Sequence, residues 1–262
     1  MVAHNQFKNF EAIFNKIAQR HGYYRVFDDF LDLYINAWCF NYEINLEHIR
    51  KLYSEDERLN FGNLIKETIF ILKKNIVADK DWFDVFGTFY ESASISKQKG
   101  FAQYFTPPSI CNFMAQIVYP NPNEKVADPA CGSARMSLAL NKVNIGCFHF
   151  LVDIDFTCAK MAALNLMLHG MNGIVVCDDG LFPGNNFKGA FIVNRKLHYT
   201  GVPEIEYRNN VNEAYNYVRF NTMTLEDLKN NSKQKVKAEQ EPDEFKDIAE
   251  VLNKRTNQYS MF

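Results

Sequence analysis

From residue 101 onward, short β-branched runs alternate with helical stretches, and this alternation constrains the fold more than any other feature of the chain. The spacing predicts strands over 125–127, 148–154, 174–177 and 190–193, and helices over 107–118, 133–140 and 156–169. Strands separated by helices imply parallel βαβ units with right-handed crossovers, and so an α/β fold built on an open sheet. In such a sheet a ligand sits beyond the C-terminal ends of the strands. Acids collect at those ends: Asp128 follows the first strand, Asp153 lies near the end of the second, and Asp178 and Asp179 end the third.

Before residue 95 the pattern changes. Apolar residues recur at helical spacing, as in Phe7, Phe10, Ile13, Phe14 and Ile17, then Phe27, Phe30, Leu31, Tyr34, Ile35 and Trp38. Residues 1–95 therefore read as an N-terminal all-helical domain whose aromatic side chains form its core. A polar linker over 93–100 leads into the α/β domain, 96–223, and residues 224–262 read as a charged, solvated tail. With 262 residues, 47% of them apolar, the chain can bury a substantial core. A net charge of −2 argues against wholesale coating by nucleic acid and leaves room for local basic patches. Six cysteines without C-x-x-C spacing exclude a zinc knuckle and suit a reducing cytoplasm. The amphipathic start and the lack of any apolar run near ~18 residues lead us to expect a soluble cytoplasmic protein with no membrane span and no metal.

The chemistry of the strand ends can be read residue by residue. Thr106 is expected to cap a helix with Pro107 at its first position, which leaves free N–H groups at that end. After the first strand, Gly132 permits close approach to the backbone, and Ser133 and Ala134 are small enough to hold the helix against the sheet. No G-x-G-x-x-G is present. Asp128 stands where it would repel a pyrophosphate and hold an ammonium. Asp153 suits the hydroxyls of a ribose, and Asp179 an exocyclic amine. Asp155 is expected to cap the helix that Gly170 ends. Ammonium, carboxylate, ribose and amine together describe S-adenosylmethionine. Cys131 reads as a small buried loop residue, and His149 and His169 as core or helix-end residues.

These stretches resemble the adenine-N6 DNA methyltransferases, and most closely the modification subunits of type I restriction-modification systems. "QYFTPPSICNFMAQIV" is similar to the family's first motif and "VADPACGSA" to its cofactor loop, usually DPACGSG. "LVDIDFTCAKMAALNLMLHG" resembles the second strand and helix, and "VVCDDGL" the acid after the third strand. The resemblance implies a Rossmann-like, S-adenosylmethionine-dependent fold. It assigns Tyr104, Phe105 and Thr106 to the methionine end of the cofactor and Asp128, Ala130 and Gly132 to its amino-acid group. Asp153 falls to the ribose and Asp179 to the adenine. DNA is the implied substrate, with a specificity or methyltransferase subunit as partner.

The family then places Asn/Asp-Pro-Pro-Tyr/Phe after the fourth strand, where a flipped adenine stacks and gives its amine hydrogens to the Asn side chain and a Pro carbonyl. This chain reads "FKGAFIVNRKLHYTGVP". Asn194 is retained and Tyr199 can offer a ring, making these the candidate catalytic residues. Arg195 and Lys196 replace both prolines, and Lys188 stands where an Asp is common. Residues 202–209 and 213–221 are expected to add two further short strands to a shortened sheet. The alternative to an active enzyme is a non-catalytic regulatory or anti-restriction protein that binds DNA or a methyltransferase partner.

Overall fold

The computed structural model describes residues 6–39, 41–44, 46–77, 82–93, 95, 104–121 and 123–222. Met1–Val218 form one compact unit; of the second, Arg219–Phe262, only residues 219–222 are described. Of the expected linker over 93–100 only residues 93 and 95 are described, and the expected charged tail over 224–262 lies outside the described residues.

The N-terminal half is helical, as its periodicity requires. α1 (Lys8–His21) and α2 (Tyr23–Trp38) meet at Gly22, whose φ of +89° lets the chain turn between them. α3 (Leu46–Leu52) is followed by α4 (Glu55–Val77). Ser54 and Glu57 form a capping box there: the Glu57 N–H donates to Ser54 Oγ at 3.3 Å and the Ser54 N–H to Glu57 Oε2 at 2.8 Å. α5 (Val85–Ser92) is capped by Asp84. Phe89 of α5 is the hub of the aromatic core, with ring centroids 4.6 Å from Phe10 and 4.9 Å from Phe14. Both contacts are edge-on, the favoured geometry for such rings.

The second half supplies α6 (Pro108–Val118), β1 (Lys125–Asp128), α7 (Arg135–Val143), β2 (Phe148–Asp153), α8 (Phe156–Leu168), β3 (Asn172–Cys177), β4 (Gly189–Val193), α9 (Leu197–Thr200), β5 (Ile205–Arg208) and α10 (Val211–Thr222). The fold is mixed α/β with a five-stranded open sheet in the order β1-β2-β3-β4-β5. One continuous core runs from Phe7 through α5, α7 and α8 to Leu151, Val175 and Phe191 on one sheet face. A smaller cluster, with Val152, Ile174, Val176 and Ile192, lies under Ala214 and Val218 of α10 on the other. Helical layer and sheet are tied at α8, where buried Lys160 pairs with Asp32 at 2.6 Å and Asp28 at 3.1 Å.

Four local expectations are corrected. β1, β2 and β3 are parallel, but β4 runs antiparallel to β3 and β5 antiparallel to β4. A parallel return needs a crossover, usually a helix, and the connection between β3 and β4 holds none; it turns back on itself. Of the two expected extra strands only β5 forms. Residues 211–222 are helical because Asn210 Oδ1 accepts the N–H groups of Asn212 and Glu213, and Val211, Ala214, Tyr215 and Val218 share a face. Pro107, not Thr106, takes the N-cap position of α6, with Pro108 first in the helix. α7 starts at Arg135, two residues late, because Ala134 adopts a left-handed φ of +71°.

The two sheet edges differ. At β5 the side chain of Asn41 imitates a strand, donating to Tyr207 O at 2.7 Å and accepting from Tyr207 N at 2.9 Å. Among the described residues, β1 pairs only with β2.

Candidate functional site

The C-terminal ends of the three parallel strands put Asp128, Asp153 and Asp178 at one end of the sheet. The loop after β1 is folded against its neighbour by backbone bonds. Cys131 N donates to Val152 O at 2.9 Å, and Gly132 N reaches Asp153 Oδ2 at 2.8 Å. Asp153 Oδ1 takes the N–H of Asp155 at 2.9 Å, and Asp128 Oδ1 that of Ala130 at 3.1 Å. A carboxylate has about four lone-pair sites, so each acid keeps acceptor capacity for a ligand.

Beside this loop lies a cavity of about 510 Å³, within the usual range for a small-molecule site. Tyr104, Phe105, Thr106, Asp128, Ala130, Gly132 and Asp153 all line it, seven of the eight residues expected to hold a cofactor. Its far end is apolar, walled by Met114 and Val118 of α6, Val126 of β1 and Met136 and Leu140 of α7. Gly132 is required here for two reasons: its φ is +54°, and a Cβ would stand 2.8 Å from Cδ1 of Phe105, whose ring rests on the loop.

Electrostatics mark the polar end. Burial raises the pKa of Asp128, against a smaller opposing effect of the Ala130 N–H. Burial also raises that of Asp153, helped by the charges of Asp155 and Asp128 and opposed by the N–H groups of Asp155 and Gly132. Two half-buried acids facing one cavity favour a cationic ligand group. Burial lifts the Cys131 thiol well above its ordinary value, so it stays protonated and is no nucleophile. Among the described residues, no group of three or more His, Cys, Asp or Glu is arranged to hold a metal ion, and no helix is long and apolar enough to cross a membrane.

The third acid pair divides its work. Asp178 is fully buried and accepts from Gly184 N, Asn186 N, Asp179 N and Tyr215 Oη, so it anchors the loop after β3. These bonds outweigh burial and hold its pKa low. Asp179 is not among the cavity-lining residues; its Oδ1 accepts from Leu181 N at 2.9 Å. The loop is nevertheless adjacent, since a Cβ on Gly180 would meet Pro129 O at 2.4 Å.

Asn194 and Tyr199, the candidate catalytic pair, are not among the residues that line the cavity. Because β4 is reversed, Val193 pairs with Gly173 at the start of β3, while Gly189 pairs with Cys177 at its end. Five residue steps, about 16 Å, thus separate Asn194 from Gly189 at the acid end. Asn194 is buried with φ +55°, and its Nδ2 donates to Leu166 O, Met167 O and Met171 O at 3.0–3.3 Å. Tyr199 is 89% exposed at that same far end. Lys188, by contrast, lies at the acid end and donates to Ile154 O at 3.0 Å.

Sequence reasoning missed Asp84, Glu91 and Arg135, which join α5 to the loop. The available signal was an arginine directly after a Gly-Ser-Ala turn, at the start of a helix that packs into the core. Residues 78–186, from just before α5 to the loop after β3, match the family described as N-6 DNA Methylase. No solved structure matches the chain.

Proposed function

We propose, taking residues 78–186 as an N-6 DNA methylase segment, that the chain binds S-adenosylmethionine in the 510 Å³ cavity and serves DNA adenine methylation as a cofactor-binding component that does not transfer methyl by itself. On this reading the sheet is a shortened Rossmann-like methyltransferase fold, preceded by a helical domain over 1–95. The observation that carries the proposal is the convergence of Asp128, Asp153 and the Gly132 loop on a single cavity of suitable size. The donor set fits the group: two acids for an ammonium and ribose hydroxyls, and an apolar end for the uncharged remainder. The bound cofactor supplies an electrophilic sulfonium methyl.

In this scheme Asp128 faces the ammonium, and Asp153 orients the ribose while its own position is fixed by the Gly132 and Asp155 amides. Phe105 covers the loop, and Tyr104 and Thr106 close the methionine end. Asp179, held by the N–H of Leu181, is assigned to the adenine at the cavity mouth. The inward turn of Asn194 favours the non-catalytic reading over an active enzyme, with DNA and a methyltransferase or specificity subunit as partners. Calorimetry with S-adenosylmethionine and S-adenosylhomocysteine tests the proposal. Wild-type chain is expected to bind both, and Asp153→Ala to weaken binding by about 1.5–3 kcal/mol, as for a lost charged acceptor. Absence of heat at millimolar ligand would sink it.

A further inference from the structure

Arg135 sits in the wall of the cavity with its side chain only 6% exposed, and its guanidinium joins three parts of the molecule. Nε donates to Asp84 Oδ2 at 2.6 Å, Nη2 to Glu91 Oε2 at 2.8 Å, and Nη1 to the carbonyl of Thr106 at 3.5 Å. The guanidinium carbon lies 5.2 Å from the centroid of the Phe105 ring. Burial alone would disfavour the charge, but Asp84 and Glu91 outweigh it and raise the pKa, so the arginine stays protonated.

The two carboxylates differ in kind. Asp84 is saturated: beyond Arg135 it accepts from Ser133 Oγ at 2.6 Å and from Gly87 N and Asn165 Nδ2 at 2.8 Å. It is a fixed post between α5, α7 and α8. Glu91 has a 32% exposed side chain and uses its second oxygen differently, accepting the N–H of Phe105 at 2.9 Å. One residue thus takes Arg135 on one oxygen and the cavity wall on the other. Phe105 and Thr106 lie in an irregular segment outside any helix or strand. Their position depends on this clamp, on the Phe105 ring resting on Gly132, and on a Cys111 thiol contact to Thr106 O at 3.6 Å.

We propose that Arg135 and Glu91 are a positioning pair, through which α5 of the helical layer holds the Phe105–Thr106 wall in its ligand-binding place. The pair touches the wall and acts on the ligand through it. A packing role alone would be met as well by apolar side chains; two donors and two acceptors in fixed forks instead specify where a backbone segment stands. This inference rests on the reading of the cavity as the S-adenosylmethionine site.

The test uses full-length Glu91→Gln, which keeps the shape of the side chain but turns one acceptor into a donor facing either Arg135 or the Phe105 N–H. Amide hydrogen exchange in the free protein reads the clamp without any ligand. The Phe105 amide is expected to exchange at least tenfold faster in the variant, while the melting temperature stays within a few degrees because Glu91 is partly exposed and Arg135 keeps its pairing with Asp84. S-adenosylhomocysteine should bind about tenfold more weakly by calorimetry. Arg135→Lys, which retains charge beside Asp84 but not the second arm, should reproduce both effects. An unchanged Phe105 amide, or a released amide with unaltered S-adenosylhomocysteine affinity, overturns the pair. If wild-type chain binds no S-adenosylhomocysteine, the reading of the cavity fails, and amide exchange still decides whether the clamp exists.

Discussion

His149 is the second residue of β2, fully buried, with neither ring nitrogen hydrogen-bonded to protein. Burial pushes its pKa down to about 4. The unfolded chain, with an ordinary value near 6.5, therefore binds this proton more readily than the folded one. Its contribution to stability is complete above about pH 6.5 and declines as pH falls towards 4. Between pH 7 and pH 5 the loss from this residue should be about 2 kcal/mol. Urea denaturation of wild type and His149→Leu at both values isolates it, and the variant should show the smaller fall; equal falls would contradict the assignment. The sequence reads His149 as a core or helix-end residue, and the structure buries it in a strand. The same local logic found Asp155, whose side chain accepts from Thr157 N at 3.0 Å. It did not find Arg135, because the arginine after the Gly-Ser-Ala turn marks one side of an ion cluster whose other side, Asp84 and Glu91, is brought to it only by the packing of α5 against the loop.

Elements were legible where periodicity and turn chemistry agreed. All four strands predicted between residues 125 and 193 are present, and the helices predicted between 107 and 169 begin within two residues of expectation. Direction was not legible for β4. Nothing in "GAFIV" distinguishes a parallel from an antiparallel strand; the difference lies in the absence of a helix after β3, and in Asp178 gathering four donors to fold that connection tightly. Residues 213–220 misled for the opposite reason, since their alternating aromatic and polar residues imitate a strand while Asn210 starts a helix. The reversal gives Asn194 a structural task. Its amide holds two carbonyls in the last turn of α8 and that of Met171 just beyond it, and its Oδ1 accepts from Glu204 N. Asn194→Ala should cost about 2–4 kcal/mol in chemical denaturation, from orphaned carbonyls and a left-handed alanine. S-adenosylhomocysteine affinity should be unchanged, because the residue is remote from the cavity.

For the molecule as a whole, the segment that matches the N-6 DNA methylase family and the residues that follow β4 part company. The family match ends at residue 186, just before β4. The acids stand at one end of the sheet, while Asn194, Arg195, Lys196 and Tyr199 stand at the other. The purified chain should transfer no labelled methyl to DNA. Arg195→Pro with Lys196→Pro should not restore transfer, since a repaired loop would still face away from the cavity. Missing even one positioned polar group costs roughly 10²–10³ in rate, and neither Asn194 nor Tyr199 is among the residues that line the cavity. Methyl incorporation into DNA by the unaltered chain would reverse this conclusion.

The plug that Asn41 forms at Tyr207 also governs how copies of this protein can meet. A sheet with two bare margins can recruit neighbours on both sides and grow without limit into a fibre. Here, among the described residues, one margin carries a side-chain amide in the place of a neighbouring strand, while β1 at the other has β2 as its one paired strand. Two molecules joined along β1 would each present a blocked margin outward. Stacking through the sheet therefore stops at a pair, so a single asparagine in the loop after α2 caps the size of any such assembly.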